Sequence, residues 1–326
     1  MRIVVTGSIA TDHLTTFPGR FSEQLLPEQL ASVSLSFLVD DLQIRRGGVA
    51  ANIAFGLGLF GVTPLLVGAV GTDFAEYGAW LRMHGVDISH VKVSEQSQTA
   101  RFTCITDRDQ NQIAAFYPGA MAEARRISLV DITASWGRPA LVVIAPDDPL
   151  AMQHHTSTSR RLNIPYAADP SQQLARLENE ETRRLIDGAQ LLFSNEYEAA
   201  LLCERTGWTE QQVLDRVGTW ITTRGANGVT ISTRGEAVLT IPAVPSEKAV
   251  DPTGVGDGFR AGYLVGVLRG LSKERAAQLG CALATTVLET VGTQEYRVSG
   301  DLLARVADAY GAGASVDIAR CVEVPG

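Results

Sequence analysis

The sequence predicts an α/β fold, a mainly parallel sheet with helices on both faces. Two observations carry this. Short β-rich apolar runs alternate with stretches of helical spacing, and the runs end on Gly, Asp, Pro or Asn. In addition, no internal repeat or low-complexity linker divides the 326 residues, so one domain over 1–326 is expected. Runs at 3–5, 64–68, 141–145, 165–168, 191–194 and 220–223 read as buried strands, and 48–60, 74–84, 149–162, 179–188 and 195–206 as the helices between them. In such a sheet, ligands sit beyond the carboxyl ends of the strands. Asp12, the Gly47-Gly48 turn, Asp169-Pro170, Asn195 and Gly225 all fall there.

Two segments, 13–46 and about 96–118, break the alternation. Both are strand-like, as in Ser34-Leu35-Ser36-Phe37-Leu38-Val39 and Arg101-Phe102-Thr103-Cys104-Ile105-Thr106. The first is rich in apolar residues (Leu25, Leu26, Leu30, Leu35, Phe37, Leu38), and an open hydrophobic edge invites pairing with another chain.

Composition removes several function classes. A net charge of -8 with no basic stripe argues against a nucleic-acid partner. Arg45-Arg46 and Arg125-Arg126 read as isolated, solvated pairs. No apolar stretch is long enough to span a membrane, and the N-terminal apolar run is too short for a signal peptide, so a cytoplasmic location is expected. The four cysteines lie far apart, which reads as reduced thiols. His154-His155 and the remaining histidines lack zinc-ligand spacing and read as surface residues.

The chemistry concentrates at Asp251-Pro252-Thr253-Gly254-Val255-Gly256-Asp257-Gly258-Phe259-Arg260-Ala261-Gly262-Tyr263-Leu264. A glycine turn runs into apolar residues of helical spacing (Phe259, Tyr263, Leu264, Val267, Leu268), which places the turn at a helix N-terminus. Unpaired N–H groups and a positive dipole end bind anions, phosphate above all. Gly254 and Gly256 allow close approach of backbone to ligand. Asp257 then lies beside a positive helix end, which would keep it ionised at neutral pH. Phosphoryl transfer to a hydroxyl is one reading; an Asp that caps a helix after a glycine turn is the other.

A second glycine corner, Arg46-Gly47-Gly48-Val49-Ala50-Ala51-Asn52-Ile53-Ala54, opens another helix about two hundred residues earlier, with Gly61 and Gly71 beyond it. Together the two segments resemble the paired signatures of the ribokinase-like (PfkB) carbohydrate kinases. Val255 departs from the small residue usual there, but backbone N–H groups bind the anion, so a side chain turned away is tolerated.

The resemblance implies a ribokinase-like fold whose insertions at 13–46 and 96–118 form a small β lid over the acceptor, and the open apolar edge of the first then predicts a dimer made lid to lid. It implies Asp257 as general base toward a primary hydroxyl attacking the γ-phosphorus of ATP, with the amides of Gly254, Val255 and Gly256 holding the transferred group. Asn195-Glu196-Tyr197-Glu198 resembles the Asn-x-x-Glu motif, with Asn195 on phosphate and Glu198 on Mg²⁺ through water; a helix cap with first-turn acids is the other account. Thr223, Gly225 and Gly228 match the nucleotide loop. Asp251 and Thr253, with carbonyls near 291–295, match a K⁺ site. Ser8, Asp12, Gly48 and Asn52 match the acceptor side, Asp12 taking two hydroxyls of a furanose.

Phe102 and Phe116 either sandwich a flat base or fill the core of the lid. Asp169-Pro170-Ser171-Gln172-Gln173-Leu174 puts two carboxamides, Gln172 and Gln173, near a purine edge or a sugar. With Gly292-Thr293-Gln294-Glu295, these features look like bacterial adenosine kinases, which implies ATP and adenosine giving AMP and ADP. The alternatives are a kinase for ribose or fructose, and a silent sugar- or nucleoside-binding regulator, which would be expected to lose Asp257 or the anion hole. Arg176 and Arg260 read as solvated helix residues. Gly56-Leu57-Gly58-Leu59-Phe60-Gly61 matches a dinucleotide fingerprint, but it ends a helix rather than opening one, so close packing explains it better.

Overall fold

The computed structural model describes residues 2–24, 34–246 and 248–322. In chain order its strands are β1 (Ile3–Thr6), β2 (Ala10–Thr16), β3 (Asp41–Gly47), β4 (Leu65–Val67), β5 (Ala69–Gly71), β6 (Lys92–Ser94) and β7 (Ala100–Thr106). They continue with β8 (Gln112–Tyr117), β9 (Leu141–Ile144), β10 (Tyr166–Ala168), β11 (Leu191–Asn195), β12 (Thr219–Thr223), β13 (Val229–Thr233) and β14 (Leu239–Ile241). Eight form the main sheet in the order β14-β13-β12-β11-β10-β9-β1-β4. Its pairings are parallel from β4 to β12, and β13 and β14 add an antiparallel edge.

Both faces of this sheet are covered, so its strands read as near-continuous apolar runs. Alternate residues serve opposite cores. Ile3 and Val5 pack with the helices Val49–Leu59, Val255–Leu268 and Lys273–Leu288, whereas Val4 packs with Leu129–Trp136, Pro149–Arg161 and Asn179–Ile186. Among the described residues no helix is long and apolar enough to cross a membrane.

A second sheet has the order β3-β2-β7-β8 and stands over the carboxyl end of β1. Its strands fall within or beside the segments that broke the alternation, with one correction. Residues 34–39 are irregular, and the strand is Asp41–Gly47. Phe37 contributes to a ring cluster with Phe17 and Phe21 rather than to a sheet edge, while Leu25, Leu26 and Leu30 lie outside the described residues. On the edge strand β3, Leu42 and Ile44 share one face and are exposed.

Other expectations also change. His155 is buried, and burial pushes its ring down to about 4. Arg45 is paired with Asp251 at 3.1 Å, Arg46 pairs with Glu295 at 3.1 Å and lies over the Trp80 ring, and Arg125 pairs with Asp148. Cys104, Cys203 and Cys281 are free thiols.

Candidate active site

Two helices bring the glycine corners together, and a pair of small residues sets their approach. A Cβ on Gly56 would meet the Ala261 Cβ at 2.5 Å, so Val49–Leu59 and Val255–Leu268 touch there almost backbone to backbone. One turn earlier on each helix stand Asn52 and Asp257, and Asn52 Nδ2 donates to Asp257 Oδ2 at 2.8 Å. The helices therefore run parallel with their N-termini side by side, two positive dipole ends facing one space. Gly56 belongs to the apparent dinucleotide fingerprint, and this contact is its structural reason. Gly58 has a similar one, since its Cβ would lie 2.0 Å from the His84 carbonyl oxygen.

Each N-terminus is shaped by glycine in the left-handed region. Gly48 has φ 94, and a Cβ there would meet Ser8 O at 2.6 Å and Ala10 N at 2.7 Å. Ser8 Oγ accepts from Val49 N at 3.0 Å, satisfying the first amide of that helix. Gly254 caps the other helix with φ 77 and no side-chain cap. The first regular bond of this helix runs from Gly258 N to Gly254 O, and before it Val255 N makes only a long bond of 3.4 Å to the Pro252 carbonyl oxygen. Val255 packs its side chain on the core, away from the turn.

Between the corners lies a cavity of about 570 Å³, lined by Ser8, Asp12, Gly48, Asn52, Phe102, Phe116, Gln172, Gln173, Thr253, Gly254 and Asp257, all singled out from sequence. Met121, Pro146, Thr293 and Arg176 also line it and were missed or misread; Arg176 is exposed but faces this space. Phe102 and Phe116 are cross-strand partners on β7 and β8. Both open onto the cavity instead of closing a lid core.

Burial pushes the Asp257 carboxyl up to about 7, against Arg260 and the Asn52 donor. This corrects the expectation of full ionisation at neutral pH, because burial outweighs the helix end. Burial also raises Asp12, to about 6, against the pull of Arg45. Arg260 is not solvated. One turn after Asp257 it is buried against Asp169, with Nε 2.6 Å from Oδ2 and Nη2 donating to Oδ1 at 2.7 Å. Only the fold could reveal this pair, since ninety-one residues separate its members.

Asn195, Glu198, Thr223, Gly225, Gly228 and Asp251 do not line the cavity. Asn195 and Glu198 form a reciprocal capping box, each side chain accepting the other's backbone N–H at 2.8 Å. Burial raises Glu198, and its charge acts on Asp257 and Arg260. Gly225 and Gly228 have φ 54 and 83 in the loop after β12. A Cβ on Gly228 would meet the Ile241 carbonyl oxygen at 2.0 Å. Burial disfavours the Asp251 carboxylate, but donors from Thr253 and Gly292, with Arg45, hold it below its usual range. Among the described residues no cluster of three His, Cys, Asp or Glu side chains could hold a metal by itself.

Comparison with known proteins fits this geometry. The profile of the pfkB family carbohydrate kinases matches residues 5–298. A nucleoside kinase of Burkholderia thailandensis, solved in complex with inosine, superposes with a TM-score of 0.82 at 34% identity, over 95% of this chain and 98% of that one. The nucleoside kinase of Methanothermobacter thermautotrophicus is 33% identical over 272 residues, 82% of this chain and 86% of its own. That of Methanocaldococcus jannaschii is 29% identical over 295 residues, 90% and 92% of the two chains. The fold is ribokinase-like.

Proposed function

This chain belongs to the pfkB family of carbohydrate kinases, and on that premise we propose that it is an ATP-dependent nucleoside kinase acting on the 5′-hydroxyl of adenosine. The observation that carries the reading is the Asn52–Asp257 pair in a cavity that also holds a second carboxylate, Asp12, and two aromatic rings. One carboxyl poised near 7 at a helix N-terminus suits a general base, and the other suits a vicinal diol. Phe102 and Phe116 suit a flat base. Relatives that are nucleoside kinases, one of them solved with inosine and with ADP-inosine, support a nucleoside acceptor and an adenine nucleotide donor.

In this reading Asp12 and Ser8 hold the ribose, and the 5′-hydroxyl lies against Asp257. Asp257 takes its proton as the oxygen attacks the γ-phosphorus. The amides of Gly254, Val255 and Gly256 hold the developing charge, where most of the catalysis of phosphoryl transfer resides. Asn195, Thr223, Gly225 and Gly228 are assigned to the nucleotide. Mg²⁺ bound to the phosphates would neutralise charge there, and Glu198 fits as its water-mediated holder, since Mg²⁺ sites use one or two carboxylates with phosphates and waters. Asp251 and Thr253 fit K⁺ poorly. Arg45 already supplies the positive charge at Asp251, and no step is assigned to K⁺.

Gln173 supports a purine base. Its Oε1 is buried without a partner and needs a donor, which the exocyclic amine of adenine or the N1–H of hypoxanthine provides. A coupled kinase assay over adenosine, inosine, guanosine, ribose and fructose tests the assignment. The expected order of kcat/KM puts adenosine first; ribose or fructose first would replace it with a sugar kinase. Phe102→Ala is expected to lower kcat/KM for adenosine by roughly 10–100-fold, from the loss of ring contact, and to leave ribose turnover unchanged. The exposed Leu38, Leu42 and Ile44 support a homodimer through the lids. Light scattering on Leu42→Lys/Ile44→Lys is expected to read monomer where wild type reads dimer.

A further inference from the structure

Behind Asp257 lies a run of four hydrogen bonds whose direction is forced from its far end. The Gly47 carbonyl can only accept, and Tyr77 Oη donates to it at 2.8 Å. Its proton spent, the Tyr77 oxygen can only accept, and it does so from Gln294 Nε2 at 2.6 Å. The other N–H of the same amide reaches Asn52 Oδ1 at 2.9 Å. Asn52 then has only its own NH₂ to offer, and this donates to Asp257. Thr293 Oγ1 stands 2.9 Å from Asn52 Oδ1 and 2.8 Å from the Arg46 carbonyl oxygen, and has one proton to share between the two acceptors.

We propose that Tyr77 and Gln294 are positioning residues for Asp257, acting through Asn52 to keep a donor rather than an acceptor against the catalytic carboxyl. The proposal rests on Asp257 as the general base. Turning the Asn52 carboxamide over would place Oδ1 against the carboxylate and Nδ2 against the Gln294 amide, donor to donor. A carboxylate facing an acceptor keeps its proton, and a protonated base accepts none. Tyr77, Gln294 and Asn52 are all buried, so water cannot stand in for a missing partner. Gln294 has no second attachment, because its Oε1 is buried without a partner and its two N–H bonds alone orient it. Neither Tyr77 nor Gln294 lines the cavity, so neither touches substrate.

The charged groups acting on Asp257 are Arg260 on its own helix, Asp169 beyond β10 and Glu198 at the start of Glu196–Thr206; the Tyr296 hydroxyl is also close enough to sense it. Tyr77 and Gln294 are neutral. Replacing them leaves those charges in place, and a change in titration reports the hydrogen bonds.

The test compares pH–rate profiles, with adenosine and ATP, of wild type, Tyr77→Phe, Gln294→Met and Asp257→Asn. Thermal melts and calorimetric binding of adenosine establish that each variant is folded. Tyr77→Phe and Gln294→Met are expected to move the acid limb of kcat/KM up by roughly one pH unit. At pH 7 kcat should fall roughly fivefold and recover at higher pH, with KM for adenosine within about twofold. A purely structural role would lower kcat at every pH or raise KM. If the acid limb stays in place in every folded variant while Asp257→Asn is inactive, the relay is overturned and the base assignment stands. Full activity in Asp257→Asn overturns the base assignment, and the relay with it. Should one of the two relay variants fail to fold, the other decides.

Discussion

Asp257→Asn is expected to lower kcat by about 10²–10⁴, the usual worth of general-base help, with little change in KM for adenosine. The wild-type profile provides the companion result. A base whose carboxyl stands at about 7 is ionised only above that pH, so kcat/KM of the free enzyme should rise through about 7 and then level off. Stability should run the other way. The folded carboxyl titrates higher than in the unfolded chain, so the native state binds the proton more tightly and loses stability as pH rises from the unfolded to the folded value. The Asn variant carries no such penalty. Its melting temperature should exceed that of wild type at pH 8 and nearly match it at pH 4, as scanning calorimetry at the two pH values would show. A dead enzyme that is more stable than its parent at alkaline pH would be the mark of a site strained for function.

The second large effect is expected at Arg260. Its side chain is 7% exposed and that of its partner Asp169 is fully buried, so Arg260→Met leaves a charge with no water and no counter-charge. Breaking such a pair from one side costs about 3–5 kcal/mol, measurable by urea unfolding. Removing both partners, as in Arg260→Met/Asp169→Leu, should recover much of that loss, because no orphan charge remains. Activity should separate from stability in these variants. Arg260 favours the ionised form of Asp257, so in Arg260→Met the acid limb of kcat/KM should move to higher pH, and in the double variant by less, because Asp169 acts the other way. A limb that stays in place in Arg260→Met would show that the pair serves only packing.

Much of this arrangement could be read from residues alone, for reasons that differ from element to element. The buried strands were legible because parallel strands covered on both faces leave no room for polar residues, so 191–194 or 141–145 stand out as apolar runs. The glycine corners were legible because the left-handed φ at Gly48 and Gly254 admits almost no other residue. The antiparallel β13 and β14 went unread, since short edge strands such as Val229–Thr233 mix Thr and Ser into the pattern. Within the strand-like segment 13–46, apolar content singles out 34–39, which is irregular. The strand that forms is Asp41–Gly47, which holds its register through pairing with β2 instead of through a continuous apolar run.

Local chemistry, then, was written in the chain: which backbone bends needed glycine, which turn could bind an anion, which carboxyls stood near it. Three matters belonged to the tertiary structure alone. Burial lifted Asp257 to about 7 although its helix end argues for a lower value, because desolvation depends on neighbours from every layer. Arg260, an ordinary helix residue by its spacing, became the buried partner of Asp169. The path from Gly47 through Tyr77, Gln294 and Asn52 to Asp257 joins five positions from four distant stretches of chain. Hydrogen-bond direction is a property of groups in contact, and contact between residues two hundred positions apart exists only once the helices have packed.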